Sequence, residues 1–295
     1  MIGARPEPRS HAHRHYLLST ELHSAHCNTP CTATMSSDPE LAAPPGDCCL
    51  NCFPHEGTPT GEFITVADVK TYITRPPAGT QAHRVILYFP DVWGIDIFVN
   101  GQLLCDYFAS QGFLVLAIDY FRGDPVQLHR KDRDDTTTEP SFDYEAWKAK
   151  HTAFANDAVP KWTDAVVAQF GTPDTKYAVV GYCFGAPYVM NALAESATVA
   201  CVGAFAHPAF LRESHFIDCA KPLLLSCAET DHTFPAPARH RAEELLAERS
   251  RTYYFQLFAG VKHGFALRGN MEDAYERWVK EESADAIARW FKQFM

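Results

Sequence analysis

The chain predicts an α/β fold: a mostly parallel central sheet with helices on both faces. Three observations carry this expectation. From residue 85 onward, short apolar runs of strand length alternate with stretches of helical spacing. One of these runs, Lys176-Tyr177-Ala178-Val179-Val180, ends in Gly181-Tyr182-Cys183-Phe184-Gly185 and passes at once into a helical pattern from Ala186 to Glu195. The 295 residues are enough for one large domain with a substantial core.

In chain order, residues 1–45 predict a tail. Pro, Ser, Thr, Arg and His are scattered through its first 34 or so positions without apolar period. His11, His13 and His15 read there as solvated side chains, and Met35-Ser36-Ser37-Asp38 has the form of an alternative start. Cys48, Cys49 and Cys52 cluster next, but no second Cys or His pair at finger spacing follows, so no metal is expected. Residues 46–295 form the predicted single domain.

Phe63–Val66 and Val69–Thr74 flank Ala67-Asp68 as an edge hairpin. Val85–Phe89 is a buried strand, and a helix carrying Leu103, Leu104, Tyr107 and Phe108 stops at Gly112. Phe113–Ile118 is the next strand. Between Gly123 and Ser141 lies a charged, Thr-rich loop. Ala158, Val159, Trp162, Val166 and Phe170 then mark a helix that leads to the run at 176–180. Strands at Val199–Ala206, Leu223–Cys227 and Tyr253–Phe258 and a helix at 238–249 follow. A terminal helix places Tyr275, Trp278, Val279, Ile287, Trp290 and Phe291 at helical spacing, as core packing.

Composition narrows the function. Thirty-six acidic against 26 basic residues give a net charge of −10, which argues against nucleic acid or an anionic membrane as partner. A small molecule fits better. The longest apolar stretch near the N-terminus is Tyr16-Leu17-Leu18, too short for a leader, and no run reaches membrane-spanning length. Ten cysteines in a chain of this size and type predict free thiols in a reducing compartment, most simply the cytoplasm.

Gly181-x-Cys183-x-Gly185 between strand and helix has the form of a nucleophile elbow with sulfur in place of oxygen. Such a turn strains its central residue and brings strand and helix close, so both flanking positions must be small. Alone the pattern is weak, because buried cysteine is common. Asp231 after the run at 223–227 and His263 after the run at 253–258 give the order nucleophile, acid, histidine, which is that of the α/β-hydrolases. His207 and His232 are expected to be wall or bystander residues, and Cys201, Cys219 and Cys227 buried hydrophobes.

Three segments together resemble the dienelactone hydrolase family, the Cys-nucleophile branch of the α/β-hydrolase fold: Gly181–Ala186, Phe89-Pro90-Asp91-Val92-Trp93-Gly94, and His263-Gly264-Phe265-Ala266-Leu267-Arg268. The lead-in His55–Gly61 resembles the fungal members, and the likeness covers about 46–295. It implies a Cys183, His263, Asp231 triad that hydrolyses small esters or lactones through an acyl-enzyme, with no cofactor and no metal. The N–H groups of Phe184 and Val92 would hold the oxyanion. Asp91 stands where bacterial members place a Glu that contacts the cysteine, and is one methylene shorter. Arg122 falls where the family has an arginine for a substrate carboxylate, and Arg268 is offset by one residue from a second. Trp93 joins them as a substrate-side residue. Gly264 replaces a serine.

Two rival readings stand beside this: the same chemistry on a polyketide-type lactone, ester or thioester in secondary metabolism, or a non-catalytic module whose Cys183 binds ligand or senses oxidants. An intact acid and histidine argue against the last. A monomer or homodimer is expected.

Overall fold

The computed structural model describes residues 38–46, 52–53, 55–80, 83–130 and 138–295. His11, His13, His15, Met35, Cys48, Cys49 and the segment 131–137 lie outside the described residues. The predicted tail reaches too far: Glu40–Ala42 form a strand, β1, and Leu41 and Ala42 are buried.

The hairpin is β2 (Glu62–Val66) and β3 (Val69–Thr74), antiparallel, turning through Ala67 and Asp68 at φ +48° and +60°. Both central residues sit in the left-handed region, as a two-residue hairpin turn requires. β4 (Arg84–Phe89), α1 (Val99–Ser110) and β5 (Leu114–Ile118) follow. The loop after β5 has structure the sequence did not announce. Val126–His129 form a 3₁₀ turn, and Arg130 bridges Thr138.

α2 (Tyr144–Phe170) begins well before the expected apolar face, capped by the Asp143 carboxylate, which accepts the Ala146 N–H at 2.9 Å. Then come β6 (Lys176–Tyr182), α3 (Ala186–Leu193), β7 (Ala200–Ala206), β8 (Leu211–Arg212) and α4 (Glu213–Asp218). β9 (Leu223–Thr230), α5 (Ala236–Glu248), β10 (Tyr253–Lys262), the short α6 (Phe265–Arg268) and α7 (Ala274–Phe294) complete the chain.

The main sheet runs β10-β9-β7-β6-β4-β5-β3-β2, parallel from β10 to β5 and antiparallel at the β3 and β2 edge. Neighbouring residues of one strand point to opposite faces. Thr71 of β3 accepts the indole N–H of Trp162 in α2, and Tyr72 donates to Asp106 in α1, both at 2.9 Å. Helices therefore cover both faces, as expected for an α/β-hydrolase fold. β1 stands apart and pairs antiparallel with β8.

α7 turns Val279, Ile287 and Phe291 into the core, but Tyr275 and Trp278 are 45% and 51% exposed. The expectation that all its aromatics are core is wrong for these two, because Tyr275 and Trp278 fall outside the stripe that the sheet covers. No helix among the described residues is long and apolar enough to cross a membrane.

Candidate active site

β4, β6, β7, β9 and β10 are parallel, so the loops after them open at one edge of the sheet, where α/β folds place their ligands. Asp91, Cys183, Asp231 and His263 lie on those loops.

Cys183 follows β6 directly with φ +49°, in a one-turn 3₁₀ segment, Cys183–Gly185. For a β-carbon-bearing residue this region costs about 1–3 kcal/mol and persists only if its surroundings enforce it. They do. A β-carbon on Gly181 would lie 2.6 Å from the Gly185 carbonyl oxygen, and one on Gly185 would lie 2.1 Å from that of Phe89. Both glycines are thus required, and the elbow rests on the end of β4. Pro187 occupies the first turn of α3, where its missing N–H costs little. The Cys183 carbonyl accepts the Ala209 N–H at 3.0 Å, which ties the elbow to the turn after β7, and Cys183 itself is fully buried.

Asp231 and His263, after β9 and β10, come together. His263 Nδ1 lies 2.9 Å from Asp231 Oδ1, and both side chains are almost wholly buried. The same carboxylate oxygen accepts the N–H groups of Thr233 and Phe234 at 3.0 and 3.2 Å, and the Thr233 hydroxyl lies 2.7 Å away. Burial by itself pushes the Asp231 carboxyl up. The His263 charge and the hydrogen bonds of His263 and Thr233, with a smaller push from His207, outweigh it and hold the group well below the ordinary carboxylate range. Asp231 is an anion at any working pH.

Two further histidines touch this pair. The buried His207 ring meets His263 edge to face, 4.9 Å between centroids, and also packs on Tyr182 and Phe265. His232 also borders the pair. Its Nδ1 lies 4.0 Å from Asp231 Oδ1 and its ring 5.0 Å from that of His263, because the chain turns sharply at Thr233.

The loop after β4 carries Asp91, Val92 and Trp93, all buried. Asp91 Oδ1 accepts the Trp93 N–H at 2.9 Å, and its Oδ2 lies 3.2 Å from Nε of Arg268. Arg268 is buried too, at 4% exposure. It is held inside the protein by an aspartate, away from the surface. Gly264 (φ +92°) makes room for it: a β-carbon there would lie 2.4 Å from the guanidinium. The family serine is absent where the arginine packs.

Arg122 is exposed at the turn after β5, its guanidinium 5.0 Å above the Phe154 ring of α2. It does not line the cavity beside the Asp91 loop. That cavity, about 720 Å³, is walled by Trp93, Phe98, His55, Gln127 and Arg130. Arg130 is 8% exposed and stacks over the Trp93 ring at 5.1 Å. The Val126 N–H donates to the Val92 carbonyl at 3.0 Å, joining the 3₁₀ turn to the loop, and Asp124 anchors that turn through His129 and His151.

Sequence reasoning missed Arg130, which sits in a run of charges where nothing singles it out. It also missed Asn100, which binds the backbone of Phe53, His55 and Leu267 and so couples the lead-in to the His263 loop. His55 is buried; burial, then the Lys280 charge, outweigh its bond to the Gly269 carbonyl and push the imidazole down to about 4. The six described cysteines, Cys183 included, form no disulfide. Burial pushes the Cys105, Cys219 and Cys227 thiols up, Cys219 to about 11, as inert packing groups. Cys201 is only partly buried. Among the described residues, Asp231, His232 and His263 are the group with metal-ligand spacing.

Comparison with known proteins supplies the family. The model of the dienelactone hydrolase family matches residues 69–295. Dienlactone hydrolase 1 of Gibberella moniliformis is 36% identical over 255 residues, 86% of this chain and 95% of that protein. Hydrolase pyvD of Aspergillus violaceofuscus is 32% identical over 85% of this chain and 98% of its own length. Among solved structures, the putative dienelactone hydrolase of Klebsiella pneumoniae superposes with a TM-score of 0.59 at 15% identity, covering 80% of this chain and 99% of that one. That likeness concerns the fold. The chain belongs to the dienelactone hydrolase family and is an ester or lactone hydrolase with the α/β-hydrolase fold.

Proposed function

We propose that Cys183 is the nucleophile of a Cys183, His263, Asp231 triad acting on small esters and lactones. The observation that carries this is the buried Asp231 and His263 pair at the strand ends beside an elbow whose glycines leave no alternative shape. Asp231 fixes the imidazole by its Nδ1–H and favours its cationic form, so His263 takes the thiol proton through its other nitrogen. The thiolate attacks the carbonyl carbon, and the oxyanion is received by the N–H groups of Val92 and Phe184. The alkoxide or enolate leaves with the proton from His263. Water, activated by the same imidazole, then frees the acid and restores the thiol.

Cys183 has no exposed surface in this state, so a covering side chain moves when substrate arrives. For a substrate bearing a carboxylate, Arg130 in the cavity wall is a better candidate for the gripping role than the exposed Arg122. Arg268, occupied by Asp91, positions the loop. An attacking sulfur must stay unoxidised, which suits a reducing compartment such as the cytoplasm.

Turnover of p-nitrophenyl acetate and of a cis-dienelactone by the purified protein and by Cys183→Ala tests the reading. The variant is expected to lose about 10⁴-fold or more in kcat. Equal turnover by the two proteins removes Cys183 from the mechanism.

A further inference from the structure

We infer that Asp231, His232 and His263 form an inhibitory site for a divalent transition-metal ion, zinc in particular. Each offers one ligand atom, and the three atoms lie within 4.8 Å of one another. Two imidazoles and one carboxylate are a donor set that zinc accepts, with a fourth position left for water.

The geometry needs little change. A tetrahedral ion with bonds of about 2.0–2.2 Å sets its ligand atoms about 3.3–3.6 Å apart. Asp231 Oδ1 is 2.9 Å from His263 Nδ1 and 4.0 Å from His232 Nδ1. The buried Asp231 and His263 atoms must open by about 0.4 Å or more and His232 must close by a similar amount; the larger freedom to adjust is that of His232, whose side chain is 41% exposed against 1–2% for the other two. His232 and Thr233 also face a cavity of about 410 Å³ lined by Glu40, Leu41 and Ala43, which is a route for a hydrated ion that does not pass the substrate pocket.

Binding exchanges one bond for others. The His263 Nδ1–H bond breaks, its proton goes to solvent, and the ion takes that position with bonds to His263, Asp231 and His232. With its Nδ1 on the metal, His263 loses the Asp231 hydrogen bond that makes it a base for Cys183. That inhibition rests on the proposed triad; the metal site does not.

The experiment separates the two. Zn²⁺ is titrated against the esterase activity of the full chain and of His232→Gln, with reversal by a chelator, and Co²⁺ is titrated by absorption against both proteins and Cys183→Ser. The expected result is reversible inhibition of the natural protein, with His232→Gln keeping its basal activity and needing about tenfold more zinc or above. Cys183→Ser is expected to bind Co²⁺ with the same visible bands and without thiolate charge-transfer absorption. Equal zinc sensitivity of His232→Gln, or a thiolate band that vanishes in Cys183→Ser, places the metal on sulfur and overturns the site. If no ester is turned over, the triad fails, and the Co²⁺ titration still decides the metal.

Discussion

Two strand-end turns at this edge of the sheet are built alike and do different work. In each, a buried aspartate accepts the N–H of the residue two places on, Trp93 to Asp91 at 2.9 Å and Thr233 to Asp231 at 3.0 Å. Each then meets a basic side chain from the same short segment after β10, Asp231 the imidazole of His263 and Asp91 the guanidinium of Arg268. An imidazole gains and loses a proton near neutral pH, whereas a guanidinium does not. One turn can pass protons to a neighbour. The guanidinium of the other passes no proton.

The comparison predicts opposite profiles for the two Asp→Asn variants. Asp231→Asn keeps the turn but presents the wrong partner to His263 Nδ1, so kcat is expected to fall about 10⁴-fold with near-UV circular dichroism unchanged. Its pH signature follows from the depressed carboxyl of Asp231. A group whose native pKa lies below its unfolded value stabilises fully above the latter, about 3.9, and loses that contribution as pH falls through the native pKa. The stability gap between the natural protein and Asp231→Asn should persist down to about pH 4 and close below it. A gap that closes near pH 6 would mean that the histidine, and not the carboxylate, carries the linkage.

Asp91→Asn should instead be a stability variant. The amide still accepts the Trp93 N–H, but Arg268 keeps a buried charge with no anion beside it, at a cost of about 3–5 kcal/mol. Urea unfolding should show this as a lower midpoint at unchanged slope. The double variant Asp91→Asn, Arg268→Met removes both charges and should recover most of the loss. A single variant as stable as the natural protein would show that the pair is not what holds the loop.

Much of this was legible in the chain because buried parallel strands and the elbow are local patterns. Val85–Phe89 and Tyr177–Val180 are continuous apolar runs, and only glycine fits on either side of the Cys183 turn, so both the fold and the elbow could be read there. Asp231 and His263 were readable from their place just after two such runs. What could not be read depends on packing between distant residues. Glu40–Ala42 and Leu211–Arg212 pair as strands of three and two residues, too short to leave a periodic signal. Asp91 and Arg268 lie far apart in sequence, and neither says that the other will be buried with it. Arg130 resembles its charged neighbours until the 3₁₀ turn lays it over Trp93. Helical spacing gathers Trp278 with Phe291 on one helix without saying which flank the sheet leaves open.

The smallest expected effect falls at the residue that most distinguishes the two turns. Where the Asp91 turn has Trp93, the Asp231 turn has Thr233, whose hydroxyl lies 2.7 Å from Asp231 Oδ1, 2.7 Å from the Pro208 carbonyl and 3.0 Å from His263 Nδ1. One hydroxyl proton serves one acceptor at a time, and the bond to the carboxylate is charge-assisted and the stronger of the two. Thr233→Val keeps the shape and removes that donor, which should cost about 1–1.5 kcal/mol of Asp231 stabilisation, or roughly tenfold in kcat with KM little changed. Thr233→Ser restores the hydroxyl and should restore the rate. If Thr233→Val keeps the natural rate, the hydroxyl does not matter here, and the backbone N–H groups of Thr233 and Phe234 together with His263 suffice to hold Asp231.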